Sequence, residues 1–484
     1  MTLSSTMNTA KGILNNTSTQ SQVVSKNISN SQNSSYVKRD AVTVMNSTGG
    51  ATIQTVRADD PILQKQMLAG QSQQEGQDTL NTGLDQLKAL LGGNDYELAP
   101  STAITKLTNA MQNYAAQPSE LSLAQTAVSA AQDVATSINT TAQGIGTVRE
   151  QADAAIKTGV DQLNDLLSQY QTVNDAVIKA TAGGGDPNDA LDQRDKIVSD
   201  ISKLVGVSTY SRSGGDMALY TNDGTVLFDK LPRTATFTAT TGYGASTVGN
   251  AVYIDGVPLK AGADGNTTAQ GSLAANLQIR DVVAPQFQQQ LDETARALIS
   301  QYSETDKTTG DDAMPGLFTW SDGTTPTSGT LVSGISETFK VNTAYVTADS
   351  GDPTLLRDGG ANGANYKWNS DSSPSYNTLL DSYVTAADTK VDFDTAAGLS
   401  TSSTVSDYAS SSIGWLEAYR SSGESAGETK SALSQRATEA YQNKTGVNLD
   451  EELSKMLDIE QSYKASTKLI NAVDEMLKSL LEIA

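Results

Sequence analysis

The chain of 484 residues carries 55 acidic against 33 basic side chains, a formal net charge of −22, and neither cysteine nor histidine. That composition excludes disulfides, thiol nucleophiles, the common zinc sites and every Ser/His/Asp or Cys/His arrangement. It also argues against nucleic acid, whose phosphates require concentrated Lys and Arg, and against membrane insertion, since no apolar run approaches the ~20 residues of a span.

Residues 1 to 39 contain no acid, and 23 of them are Ser, Thr, Asn or Gln. Leu3, Met7, Ala10, Leu14, Thr17, Ser21, Val24 and Ile28 nevertheless keep an unbroken four-three spacing, the seam of a helix that packs lengthwise on another helix. The seam is too weak to fold alone and calls for a partner. No charged segment followed by an apolar core opens the chain, so a signal peptide is not expected. Residues 41 to 45 and 51 to 57 alternate about an Asn-Ser-Thr-Gly-Gly stretch at 46 to 50, which predicts a β-hairpin.

From Pro61 to Leu204 the pattern is helical, with breaks at Gly92-Gly93, at Pro118 and at 183 to 187. Asp60 and Pro61 supply the cap and first position of the first of these helices. Long helices joined by short breaks predict an elongated antiparallel bundle. Over 206 to 271 short β-type runs alternate with Gly214-Gly215, Asp223-Gly224 and Asp255-Gly256 turns, reading as a small inserted β domain. Helical periodicity returns at 272 to 303, so the bundle is discontinuous in sequence.

Residues 305 to 401 are rich in Gly, Ser, Thr and Asp and predict an irregular lobe anchored by Phe318, Trp320, Tyr345 and Trp368, because so long a structureless loop is improbable. Residues 404 to 442 are helical again, and Thr445-Gly446 closes them. Asn448 then caps a last helix, with Glu451 placed for a capping box. In that helix Leu449, Leu453, Met456, Tyr463, Ile470, Val473, Leu477 and Leu480 recur at three, four or a combined seven, over a run of roughly 55 Å.

The expected architecture is therefore mainly α, an elongated discontinuous bundle with an inserted small β domain. Residues 1–40 and 447–484 would pair as a terminal coiled coil, 41–205 and 272–446 would form the bundle with its lobe, and 206–271 the outer β domain. Eight acids outnumber four Lys after residue 446, while Lys11, Lys26, Lys38 and Arg39 are the only charges before residue 40. This complementarity pairs the two ends of the chain with each other.

No constellation carries chemistry, and no cofactor or metal is implied. Asp192 and Asp195 are spaced for one helix face, but alternating charge after Pro187 reads as exposed or interhelix salt bridges. The acidic turns at 223 and 255 lack the twelve-residue calcium loop. A surface adhesin, or a glycosidase using two carboxylates of the 305 to 401 lobe, is the reading from another class, but no spacing there selects a pair.

The segments Asn448-Leu-Asp-Glu-Glu-Leu453, Glu460-Gln-Ser-Tyr463, Ala465-Ser466 and Val473-Asp-Glu-Met476 resemble the C-terminal signature of bacterial flagellar axial proteins. Asn27-Ile-Ser-Asn30 and Tyr36 resemble the N-terminal one. Leu191-Asp192-Gln193-Arg194-Asp195 with Lys203-Leu-Val-Gly-Val207 is similar to a segment distinctive of the first hook-associated protein family, at the hook–filament junction. Gly271-Ser-Leu273, Ile279-Arg-Asp281 and Gly316-Leu-Phe-Thr319 follow in the same order. Where the family places Thr before a Gly-Tyr pair, this chain has Asn33 and Ser35, which puts a positive-φ turn in question.

The resemblance implies a structural, non-enzymatic protein of the flagellum, exported unfolded and assembled as a ring of identical subunits through its terminal helices. Its implied neighbours are the hook protein and the second junction protein, with an export chaperone on the C-terminal helix. Other axial proteins are the alternative within that class. The assembly residues would be the apolar positions of both seams, with Asn30 and Tyr36. Asp192, Gln193, Arg194 and Asp195 would be structural family markers.

Overall fold

The computed structural model describes residues 3–45, 51–310 and 313–483, with side chains described for all of these except 3–5 and 480–483. The expected hairpin turn at 46 to 50 and the side chains of Leu3 and Leu480 therefore lie outside the described residues. The fold is mainly helical with small antiparallel sheets. The chain forms two compact units, one of Met1–Ser72, Leu163–Thr234 and Ser431–Ala484, the other of Gln73–Gln162 and Ala235–Lys430.

The first unit begins with α1 (Leu3–Ser29) and the hairpin β1 (Arg39–Met45) and β2 (Ala51–Arg57), paired in register from Arg39↔Arg57 to Met45↔Ala51. Three long helices, α2 (Pro61–Ala89), α4 (Leu121–Ala182) and α11 (Val405–Thr445), each contribute segments to both units. The start of α2 is capped by Asp60, whose carboxylate accepts from the backbone of Ile62 and Leu63 at 3.2 and 3.0 Å. α3 (Pro100–Ala116) lies between α2 and α4, and α5 (Asn188–Leu204) follows the Gly-rich break. α12 (Leu449–Ile483) closes the chain.

The strands expected over 206 to 271 form two sheets, and the boundary between the units runs between them. β3 (Val207–Ser211), β4 (Met217–Thr221), β5 (Val226–Asp229) and β6 (Leu231–Pro232) make a four-stranded antiparallel sheet in the first unit. Its buried Phe228 meets Tyr170 of α4 edge to face, and Tyr170 donates to Met217 O at 2.8 Å. β7 (Ala235–Thr236), β8 (Tyr253–Ile254) and β9 (Val257–Pro258) form the three-stranded sheet of the second.

In the second unit, α6 (Ser272–Gln278) runs through a π-helical turn at Ile279–Val283 into α7 (Ala284–Gln301). Arg280 of that turn is buried and binds Asp153 (2.7 Å), Asp281 and the Asn250 carbonyl, which fixes the 237 to 250 loop to α4. The 305 to 401 lobe is a series of short elements: β10 (Phe318–Thr319), α8 (Ile335–Thr338), β11 (Lys340–Val341), α9 (Leu355–Asp358), α10 (Thr378–Ala387), β12 (Val391–Asp392) and β13 (Ser402–Ser403). Phe318 and Tyr345 are buried in the unit's core, and Trp320 and Trp368 pack on its edge.

Candidate assembly interface

α1 and α12 pack together antiparallel. Asn27 near the end of α1 meets Glu452 at the start of α12, and Ser21, nearer the start of α1, meets Met456 with its hydroxyl 3.8 Å from the sulfur. On α1 the expected seam is the inward face: Ala10, Thr17 and Val24 are buried, and Met7, Leu14, Ser21 and Ile28 are half-buried. Val23 and Asn27 widen it.

On α12 the expected seam separates into two faces. Met456 and Ile470 are half-buried and Val473 is buried, joined by Glu452, Ile459 and Ser466 on the side turned to α1. Leu449, Leu453, Tyr463 and Leu477 are exposed. The physical reason is the width of an apolar band at 3.6 residues per turn: a heptad reading selects a line, whereas this helix carries apolar residues over more of its circumference than α1 covers.

The base of the pair is built on Asn27, whose side chain is fully buried and uses all of its hydrogen-bonding capacity. Its Nδ2 donates to the Arg39 carbonyl and to Glu452 Oε2, both at 2.8 Å. Its Oδ1 accepts from the Tyr36 hydroxyl at 2.7 Å and from the Arg39 backbone at 3.1 Å. Burial pushes the Tyr36 hydroxyl up to about 12, so it stays a donor, while the Arg39 guanidinium over its ring (4.9 Å) acts in the opposite sense. Glu452 is also held by Lys455 at 3.0 Å. Glu451 accepts from Lys38 and Lys455, each at 3.1 Å, and is held below the ordinary carboxylate range first by Lys455 and then by Lys38. Asn448 caps α12 by accepting from Asp450 and Glu451 backbone amides at 3.0 and 3.3 Å.

Asn30 closes α1 by donating to the Lys26 carbonyl at 2.8 Å. The turn that follows needs no glycine. Asn33 Oδ1 accepts from the Ser35 backbone (3.1 Å) and Asn33 O from the Tyr36 backbone (3.0 Å), and Ser35 is absent from the residues with positive φ.

The charged segment of α5 is an anchor for the hairpin. Asp192 lies between Arg39 (3.1 Å) and Arg57 (2.9 Å), Asp195 binds Arg57, and Asp189 binds Arg39 and Lys26. Burial lifts the Asp192 carboxyl despite its two arginines, whereas a hydrogen bond from Lys26, assisted by Arg39, lowers Asp189. Arg194 turns away and binds Asn174 Oδ1 (3.0 Å) and the Gly215 carbonyl (2.6 Å), joining α5 to α4 and the loop before β4. Gln193 is exposed. Sequence reasoning missed Arg57 and Glu452, and it assigned Arg39 and Lys26 to the acids of the C-terminal helix, whereas both bind carboxylates of α5. The available signal was two arginines at facing ends of a hairpin in a region poor in charge, with Asp189, Asp192 and Asp195 on one face of a helix.

Residues 84–312 match the model of the flagellar hook-associated protein FlgK helical domain, and residues 438–483 match that of the flagellar basal body rod FlgEFG protein C-terminal region. Residues 84–312 are thus similar to the helical domain of FlgK-type flagellar hook-associated proteins. The FlgK-type region includes α5 and both sheets, and the rod-type region is essentially α12 with the end of α11. Flagellar hook-associated protein 1 of Salmonella typhimurium is 27% identical over 237 residues, covering 46% of this chain and 42% of that protein. The Escherichia coli K12 protein of that name is 26% identical over 44% of this chain and 41% of its own length, and the Bacillus subtilis one 27% over 32% and 31%. The chain thus spans about two-fifths of the length of the first of these relatives. The flagellar hook junction protein FlgK from Burkholderia pseudomallei shares the fold, with a TM-score of 0.58 at 15% identity over 78% of this chain and 99% of that one.

Among the described residues no helix is long and apolar enough to cross a membrane, and no group of three or more Asp or Glu side chains is placed to hold a metal ion. Buried carboxylates that precede the lobe in sequence serve as structural acceptors for it. Glu304 takes hydrogen bonds from Gly360, Ala361 and Asn362, and Asp292 takes them from Gly334 and Ser336.

Proposed function

We propose that this chain is a structural subunit of the bacterial flagellum at the hook–filament junction, exported unfolded and assembled as a ring through its terminal helices. The neighbours in this reading are further copies of the chain, the hook protein on one side and the second junction protein on the other. The apolar face of α12 is the capture site for an export chaperone that receives an amphipathic helix in a groove.

The observation that carries the reading is the uneven burial of α12. One face is satisfied by α1 through Val473, Ile470 and the Glu452 network, and a second keeps Leu449, Leu453, Leu457 and Tyr463 uncovered at 43 to 60% exposure. A bare leucine strip on a helix that already has a partner fits a surface covered only on assembly. The similarity of residues 84–312 to the FlgK helical domain and of residues 438–483 to the rod-type C-terminal region supports this reading.

Immunolabelling of intact flagella tests it. The label is expected at one position, between hook and filament. Label along the whole filament, or on the cell surface, would remove the junction assignment, and polysaccharide hydrolysis by the purified chain would revive the glycosidase reading.

A further inference from the structure

Two apolar faces of the first unit are uncovered, and they lie on different elements. Val42, Val44 and Val56 share one face of the hairpin, since Val42 pairs with Gln54, Val44 with Thr52 and Val56 with Asp40, and they are 40 to 45% exposed. On the opposite face Ala41, Ile53 and Thr55 are half-buried while Thr43 and Met45 towards the tip are exposed, and the Asn16 side chain of α1 binds the Ala51 carbonyl at 3.1 Å. A two-stranded ribbon is marginal unless a second surface covers it. On α12, Leu449, Leu453 and Leu457 stand one turn apart and are 43, 52 and 60% exposed.

Charge decides which faces meet. Asp450, Asp458 and Glu460 are exposed around the leucine strip, so two such strips placed together would set like charges against each other. The hairpin has no charged residue from Ala41 to Val56, and the neighbouring α1 has Lys11 and Lys26 as its charges and no acid. The one acid on the valine face, Asp40 opposite Val56, is paired with Lys455 (3.3 Å) and Lys38 (3.9 Å), so a charge-balanced valine face beside a basic helix complements an acid-rimmed leucine strip. A single contact of this kind, repeated, covers both bare surfaces.

We propose that the Val42, Val44 and Val56 face of one copy docks on the Leu449, Leu453 and Leu457 strip of a second copy. Because the two patches differ, the contact is heterologous: each subunit offers a hairpin in one direction and a strip in the other, which generates a ring or a helical array and not a closed pair. The proposal rests on the assembly reading above and specifies which surfaces carry it.

The natural absence of cysteine makes the test clean. Val44→Cys and Leu453→Cys chains, carrying different tags, are co-expressed in cells whose own copy is deleted, and their flagella are isolated and oxidised. Immunoblotting before oxidation reports incorporation. The expected result is a disulfide-linked dimer bearing both tags, with no linked dimer when either variant is expressed alone. Val42→Cys with Leu457→Cys is the second pair, guarding against a variant that fails to fold. Leu453-to-Leu453 or Val44-to-Val44 products, or incorporation with no mixed dimer from either pair, would overturn this docking while leaving the assembly reading intact. Absence of the parent chain from flagella would overturn both.

Discussion

The buried amide of Asn27 donates to the buried carboxylate of Glu452 across 2.8 Å, and this hydrogen bond ties the end of α1 to the first turn of α12. The same amide orients Tyr36 and both backbone groups of Arg39, so the helix pair and the hairpin share one anchor. Removing it orphans several buried groups, each costing about 1 to 3 kcal/mol. Asn27→Ala is expected to lower the stability of the α1–α12 pairing by about 3 kcal/mol. Asn27→Asp is expected to cost more, since it turns a donor into a second carboxylate facing Glu452. Asn27→Asp with Glu452→Gln restores donor to acceptor and should recover part of the loss. Hydrogen exchange of α1 and α12 is the suitable measure, because a protein of two units has no single unfolding free energy. Equal protection in Asn27→Asp and the parent would refute the anchor.

Substitution of Val473 and of Leu453 by Asp separates pairing from assembly. Val473 is 1% exposed on the face turned to α1, and an unpaired charge there is expected to cost about 3 kcal/mol or more and to expose both helices to protease. Leu453 is half exposed, so Leu453→Asp is expected to change stability by no more than about 0.5 kcal/mol while abolishing incorporation. Circular dichroism and flagellar fractionation measure the two effects. Normal incorporation of Leu453→Asp would remove the strip from the assembly surface.

Much of this fold is legible in local pattern. Gly92-Gly93, Pro118 and the 183 to 187 break fall at the ends of helices, and the four-three spacing of α1 gives its inward face because that helix carries only one apolar band. α12 carries more than one, and spacing alone cannot say which is covered: Met456, Ile470 and Val473 face α1, whereas Leu453 and Tyr463 do not. The role of Asp192 and Asp195 was hidden for another reason. Their partners Arg39 and Arg57 are 135 to 153 residues away, and nothing in a 3.6-residue period encodes a partner at that distance.

Asp292 on α7 gives the second unit a pH dependence. It is fully buried, accepts from Gly334 N (2.9 Å), Ser336 N (3.1 Å), the Ser336 hydroxyl and Gln288 Nε2 (3.2 Å), and burial lifts its carboxyl to about 6 against those hydrogen bonds. The folded state holds this proton more tightly than the unfolded one. Its contribution to stability is therefore complete below about pH 4, declines as pH rises to about 6, and is flat above. Hydrogen exchange of the α8 segment is expected to show loss of protection over that window, and Asp292→Ala, though weaker throughout, is expected to lose that slope. An unchanged slope in the variant would assign the effect to another group.

Glu304 is the corresponding anchor of the lobe, and five donors converge on its carboxylate. Oε1 accepts from Tyr345 OH (3.1 Å) and the backbone of Gly360 (3.0 Å) and Ala361 (3.2 Å), and Oε2 from the backbone and side chain of Asn362 at 3.1 and 2.9 Å. Three successive amides converge because Gly359 and Gly360 take φ of 71° and 98°, where an L side chain is strained. The result is a backbone anion nest occupied by the protein's own carboxylate. Glu304→Ala leaves those amides without an acceptor and is expected to destabilise the lobe by about 3 to 5 kcal/mol. Glu304→Gln is expected to be nearly as damaging, because its amide nitrogen confronts donors on one side. A small carboxylate can refill the nest in Glu304→Ala, so acetate at constant ionic strength is expected to restore protease resistance near residues 359 to 369 where chloride does not. Equal effects of acetate and chloride would show that volume, and not charge complementarity, holds the lobe in place.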